Sequence, residues 1–218
     1  MSAGEGSADG AWIGRPLKRR EDHRLLIGSG RYVDDIRPAA CAHVALLRSP
    51  HAHARVASLD VEPARRAPGV LAVVTGSELK HLAALPVNRV IPDMRVPPHP
   101  IIADGIVHAA GTPVAAVLAE TIYAARDALD LIDITYEPLP ALPEPEGAVA
   151  ESAPTLYPQI DRNRCFTRSL REGDAARAAA RAARVVSVRV AQQLVAAVAM
   201  EPRSVLAAFD PSTEDLTL

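Results

Sequence analysis

At 218 residues the chain is long enough for one full domain and part of a second, and 49% hydrophobic residues suit a packed core rather than a disordered segment. Its 24 basic and 26 acidic side chains leave a formal charge of -2, so no net field favours nucleic acid. The two cysteines, Cys41 and Cys165, form no C-x-x-C pair, which fits a reducing compartment and excludes an iron–sulfur centre built by this chain alone. Residues 1–10 lack an apolar h-region and no run of about 18 apolar residues occurs, so the expected location is cytoplasmic, with no membrane span.

In chain order, residues 1–22 read as a flexible leader rich in Gly, Ser and Ala, ending near the basic cluster Lys18-Arg19-Arg20. Residues 41–48 and 55–61 carry β-compatible side chains and are broken by Ser49-Pro50, so they are predicted to be paired strands. Pro63 in a helical first turn places a short helix at 62–67, which feeds a buried strand at 70–75. A second short helix is predicted at 77–82. Pro86, Pro92, Pro97, Pro98 and Pro100 rule out regular structure across 86–100 and imply a loop.

Val114-Ala115-Ala116-Val117-Leu118 reads as a core strand, and Thr121 as the cap of a helix whose Ile122, Ala125, Leu129 and Ile132 form one apolar stripe. Ile132, Ile134 and Tyr136 then alternate with polar residues in a strand ended by Glu137-Pro138. One α/β unit closes there. The proline-rich stretch that follows is predicted to be an extended linker containing the domain boundary. After it, Asp174 caps a helix at 175–183 with Arg177, Arg181 and Arg184 on one face, and strands are expected at 185–190, 194–200, 204–209 and 215–218. So few residues cannot stand alone as a sheet; without a continuation or partner they would leave an open apolar edge.

Few side chains suggest chemistry. His51 and His53, two apart on a strand, would share a face and can hold a metal through two imidazoles. With no further ligand in obvious spacing, structural hydrogen bonding is the expected role. Gly28-Ser29-Gly30 lacks the third glycine of a dinucleotide fingerprint, since Val33 stands in its place. The strand–Gly76–helix pattern at 70–82 reads as ordinary α/β packing rather than a pyrophosphate site. Asp34 and Asp35 would point apart on a strand, which favours a turn or interface over acid/base work. The three arginines give an Ala-rich helix its solvated face. No nucleophile elbow or P-loop is present, and covalent catalysis has no support.

Several ordered blocks resemble one family. They are Ile13-Gly14-Arg15-Pro16 with Glu21-Asp22-His23-Arg24-Leu25-Leu26, Gly30-Arg31-Tyr32-Val33-Asp34-Asp35, the run from Arg48 through Ser49-Pro50-His51-Ala52-His53-Ala54-Arg55 to Val56, Pro68-Gly69-Val70, Pro113-Val114-Ala115-Ala116-Val117, and Tyr136-Glu137-Pro138-Leu139-Pro140. Together they resemble the start of the large, molybdopterin-binding subunit of the molybdenum hydroxylases: xanthine dehydrogenases, aldehyde oxidases and aerobic carbon monoxide dehydrogenases. Ala109-Ala110-Gly111-Thr112 departs from the aromatic residue and Gly-Glu or Gly-Gln common in relatives.

The resemblance implies an α/β (α+β) fold: an α/β hammerhead domain at 23–140, a Pro-rich linker at 141–170, and at 171–218 the first strands of a truncated molybdopterin-binding domain containing Ala199-Met200-Glu201-Pro202-Arg203. In the family, molybdenum held by a pterin dithiolene hydroxylates an aldehyde or N-heterocycle, or oxidises carbon monoxide, with water as the oxygen source. Its general-base glutamate, its glutamine at the metal's oxo group and its Gly-Gly-Gly-Phe-Gly loop all lie downstream of the segment resembling 216–218. No catalytic, cofactor-binding or metal-binding residue is therefore assigned here. The implied role is an N-terminal portion or split subunit serving as scaffold and subunit-contact region. Its expected partners are the remainder of the molybdopterin-binding subunit and an iron–sulfur subunit, with an FAD subunit as a further candidate; neither nucleic acid nor membrane is among them. The alternative is a free-standing hammerhead binding or assembly module with no oxidoreductase role.

Overall fold

The computed structural model describes residues 14–193, 195–199 and 201–218. Most of the leader, residues 1–13, lies outside them, as do both ends of the strand predicted at 194–200. The chain forms two compact units, Ala39–Arg189 and the described residues up to Pro38 together with Val190–Leu218.

The larger unit holds two three-stranded antiparallel sheets. In the first, β1 (His43–Arg48) and β3 (Val70–Thr75) flank β5 (Pro113–Ala119); in the second, β4 (Ile106–Val107) and β6 (Asp133–Pro138) flank β2 (Ala54–Asp60). The strands β1 and β2, predicted to pair, are thus in different sheets. Pro50 has no amide proton for a ladder, and Ser49 turns the chain by donating its N–H to the Thr112 carbonyl at 2.9 Å and accepting from the Gly111 N–H at 2.8 Å. Each strand finds its partners much later in the chain, at Val117 opposite Ala45 and at Ile134 opposite Leu59.

The mixed α/β prediction holds, and most elements lie where patterning put them. The helix α2 (Glu62–Arg65) carries Pro63 in its first turn and buries Ala64. The helix α3 (Ile122–Leu129) is capped by Thr121, whose Oγ1 accepts from the Ala124 N–H at 3.1 Å. It lies on the first sheet through Ala125 and Ala128, both without exposed surface, and the small side chains let helix and strand backbones approach closely. Ile132, predicted to continue the helical stripe, is buried beyond the helix end, because the chain leaves the helix at Asp130 to enter β6. Val117 and Val73 sit beneath the helix, and each fully buried valine contributes about 1.5–3 kcal/mol. A smaller cluster of Ala54, Ala103, Val107 and Val114 packs the second sheet against the start of β5.

Three segments differ from expectation. Residues 77–82 form successive turns rather than a helix, with Leu79 N–H on the Gly76 carbonyl and Leu82 N–H on that of Leu79; so short a run cannot propagate a helix once its start is pinned. Glu78 does that pinning through the Thr75 N–H at 2.7 Å and hydroxyl at 2.8 Å. The stretch after Pro140 does not run extended either. It carries the single-turn helix α4 (Pro145–Ala148), and Asn163 gathers it by accepting from the Leu156 N–H and donating to the carbonyls of Ala148 and Pro154. Ile160 is buried there. An asparagine can supply hydrogen bonds that a proline-rich backbone lacks, and Asn163 also takes the left-handed conformation, at φ 55. Finally, α5 (Ala175–Arg181), capped by Asp174 at 3.0 Å, stops short of Arg184, which leaves that arginine off the helix. Residues 86–100 are irregular, as predicted.

In the smaller unit, α1 (Asp22–Leu26) ends in a Schellman motif. Gly28 takes φ 73 while its N–H donates to the Leu25 carbonyl at 3.2 Å and the Ser29 N–H to that of Arg24 at 2.7 Å. The strands β7 (Ala208–Asp210) and β8 (Asp215–Thr217) form a hairpin, its turn held by Asp210 accepting from the Ser212 N–H and hydroxyl. No strand forms at 185–190 or across the described residues 195–199.

Candidate functional site

The turn from β1 to β2 brings Ser49, His51 and His53 together, and the two histidines meet the rings of Tyr136 and His108. Ser49 is buried and its Oγ accepts from the His51 N–H at 3.1 Å. Both histidines lie in this turn, ahead of β2, and they diverge. The His51 ring meets Tyr136 at 4.9 Å between centroids, whereas His53 stacks on His108 at 5.3 Å, and His108 on Tyr157 at 4.1 Å. Since a carbonyl only accepts, the 2.7 Å contact between His53 Nδ1 and the Pro140 oxygen puts the proton on Nδ1 and fixes the tautomer. The backbone repeats the tie, with the Leu139 N–H on the His53 carbonyl at 2.9 Å.

Two atoms of this group are buried without a hydrogen-bond partner, His108 Nδ1 and the Tyr136 hydroxyl. Burial holds His108 below the ordinary histidine range, helped by the neighbouring His53. Burial likewise raises both phenols, Tyr136 against a weaker opposing effect of Ser49, and Tyr157 with a further contribution from Cys165. The Ser49 hydroxyl lies near the Tyr136 phenol without closing a hydrogen bond to it.

His108 and Tyr157 also line a cleft of about 390 Å³ whose other walls include Leu82, Ile101 and Ile106. Its charged residues, Lys80 and Asp104, pair with each other at 2.8 Å. A second cleft, of about 460 Å³, lies beside Arg65 and Glu78. These too are paired at 2.8 Å, and the Thr75 N–H and hydroxyl, with Arg65, hold the Glu78 carboxyl below the usual range.

The other sequence candidates perform structural tasks. Asp35 closes a 3-10 turn at Val33–Asp35 by accepting from the Tyr32 N–H at 2.9 Å. Gly28 caps α1. A Cβ on Gly76 would stand 2.3 Å from the Ala103 carbonyl oxygen, so that glycine serves backbone packing. Among the described residues no group of three His, Cys, Asp or Glu side chains is placed to hold a metal ion. The charges in both clefts are spent on each other, Arg65 on Glu78 and Lys80 on Asp104. The residues present do not fit a molybdenum–pterin group. Sequence reasoning passed over His108 and Tyr157, which lie 49 positions apart, and no local pattern could have joined them.

The family model for the "aldehyde oxidase and xanthine dehydrogenase, a/b hammerhead domain" matches residues 27–140. The 6-hydroxypseudooxynicotine dehydrogenase complex subunit gamma of Paenarthrobacter nicotinovorans is 36% identical over 211 residues, which cover 94% of this chain and 26% of that protein. Among solved structures, quinoline 2-oxidoreductase from Pseudomonas putida 86 matches 63% of this chain and 18% of its own with a TM-score of 0.58 and 40% identity. A Cu,Mo-CO dehydrogenase matches 73% of this chain and 20% of its own with a TM-score of 0.57 and 35% identity. This chain spans about a quarter or less of the length of these relatives.

Proposed function

The chain belongs to the aldehyde oxidase and xanthine dehydrogenase hammerhead family, and from that premise we propose that it acts as the N-terminal portion or a split subunit of a molybdenum hydroxylase large subunit. Its role is scaffold and subunit contact; the complete enzyme is an oxidoreductase that hydroxylates an aldehyde or N-heterocycle with water as the oxygen source. The observation that carries this reading is the hammerhead match over residues 27–140, together with the likeness of the chain to dehydrogenases and oxidoreductases, one of them a Cu,Mo enzyme. The clefts of this chain, with their charges paired internally, support a structural role over a catalytic one. The molybdenum–pterin group would be held by the remainder of the large subunit, with electrons leaving through an iron–sulfur subunit and an FAD subunit as a further candidate. Residues 23–140 form the hammerhead domain and 171–218 begin the pterin-binding domain, joined through 141–170. The assembly is cytoplasmic; no helix among the described residues is long and apolar enough to cross a membrane.

The test is affinity purification of the tagged chain from a host that makes the molybdenum cofactor, followed by metal analysis and identification of bound polypeptides. Molybdenum is expected only in fractions that also contain a pterin-binding partner, and residues 185–190 gain amide protection there. Stoichiometric molybdenum on the chain alone would end the scaffold role. Recovery with no pterin-binding or iron–sulfur partner would favour a free-standing module.

A further inference from the structure

The folded stretch that follows Pro140 reaches back to the residue just after β4 through Tyr157. Ile160 is buried, and Tyr157 lies flat on His108 at 4.1 Å with 27° between the rings. His108 in turn lies on His53, which is fixed by its bond to the Pro140 oxygen. The stack therefore clamps the far end of the segment to the point where the segment begins. We propose that the His53–His108–Tyr157 stack is a pH-sensitive latch, in which protonation of His108 releases residues 154–164 from the sheets. The device is independent of the enzyme assignment above.

The chemistry follows from the buried, partnerless Nδ1 of His108. A neutral imidazole has one N–H and one lone pair, whereas both nitrogens of the imidazolium are donors. Once protonated, the ring must carry an N–H at Nδ1, where no acceptor waits, and a full charge on a half-buried imidazole. The groups that face His108 offer no relief. His53 is a second imidazole with its proton already committed to Pro140, and Tyr157 is a neutral phenol with Cys165 beside it. Across the cleft Lys80 is a cation, and Asp104 is taken up by it. Attraction between an imidazolium and the face of Tyr157 opposes release but is weaker than the penalty for an unsatisfied buried donor.

The sign of the linkage is fixed by the direction of the His108 shift. Closed, the stack holds His108 below the ordinary histidine range; open, His108 binds a proton within it. The latch is therefore fully closed above the ordinary range and weakens as pH falls through the lowered value.

Amide hydrogen exchange of the full chain at about pH 7.5 and about pH 5.5, corrected for intrinsic rates, reads this directly. Peptides covering 154–164 are expected to lose protection on acidification, by up to about ten-fold for each unit separating the closed and open pKa values. Peptides covering β5 hold theirs. His108→Phe keeps a ring in the stack without a titrating group, and its 154–164 peptides should be equally protected at both pH values. An unchanged wild-type segment, or an equal acid loss in His108→Phe, would overturn the latch. Should that variant fail to fold, the wild-type His108 ring titration by NMR still decides: a midpoint shared with the exchange transition supports the proposal, and a midpoint elsewhere defeats it.

Discussion

The strand β5 and residues 185–190 are both made largely of apolar residues with valine among them, yet they end in opposite environments. The first is hydrogen-bonded on one side to β1 and on the other to β3, with α3 across its face, and Val117 has no exposed surface. The second forms no strand, and Val185, Val186, Val188 and Val190 are 65–81% exposed. Branched apolar residues make a segment competent for a sheet, but burial needs neighbours on both edges and a layer above. Residues 113–119 find all three within the chain.

The largest test of this contrast is a buried charge. Val117→Asp leaves an unpaired carboxylate beneath α3 and should cost several kcal/mol, enough to unfold the larger unit, while Val188→Asp changes stability by less than about 0.5 kcal/mol. Urea unfolding followed by circular dichroism separates the two; similar midpoints would mean that the exposed valines are packed in solution. A finer comparison uses the two helix caps, which have nearly the same geometry, 3.1 Å at Thr121 and 3.0 Å at Asp174. Thr121→Ala should lower stability by about 1 kcal/mol because α3 roofs the core, whereas Asp174→Ala frays an exposed helix and leaves the global midpoint in place. Smallest is the acid dependence of Glu78. Because its carboxyl is held low by Thr75 and Arg65, its stabilisation is complete above the ordinary glutamate range and is lost as pH falls through the lowered value. Glu78→Gln should flatten that acid limb, measured as urea midpoints against pH, with only a small change at neutral pH because the pair is half exposed.

Much of the larger unit was legible because its signals are local. The cap at Thr121, Pro63 in the first turn of α2, and the alternation through Ile134 and Tyr136 each act within a few residues, and each element formed where it was predicted. Partnership was not legible. The sequential strands β1 and β2 looked like a hairpin, but Ser49 binds Thr112 and Gly111, a contact no local pattern announces. The same holds for the site. His51 and His53 stood out by spacing, yet the residues that give His53 its surroundings are Pro140, His108 and Tyr157. The glycines at 28 and 30 invited a ligand reading, and Gly28 instead terminates a helix.

By itself the sequence determined the family, the mixed α/β class and most element positions, because order of motifs, side-chain period and capping are properties of neighbouring residues. Tertiary structure alone decided which strands share a sheet, that the proline-rich stretch folds around Asn163 and Ile160, and that the half-buried imidazole of His108 lies between a histidine and a tyrosine. The sheet pairings of the larger unit and the ring stack join residues about 40 to 90 positions apart, the Asn163 contacts residues 7 to 15 apart, and the free energy of such contacts exists only after the chain has closed the loops between them.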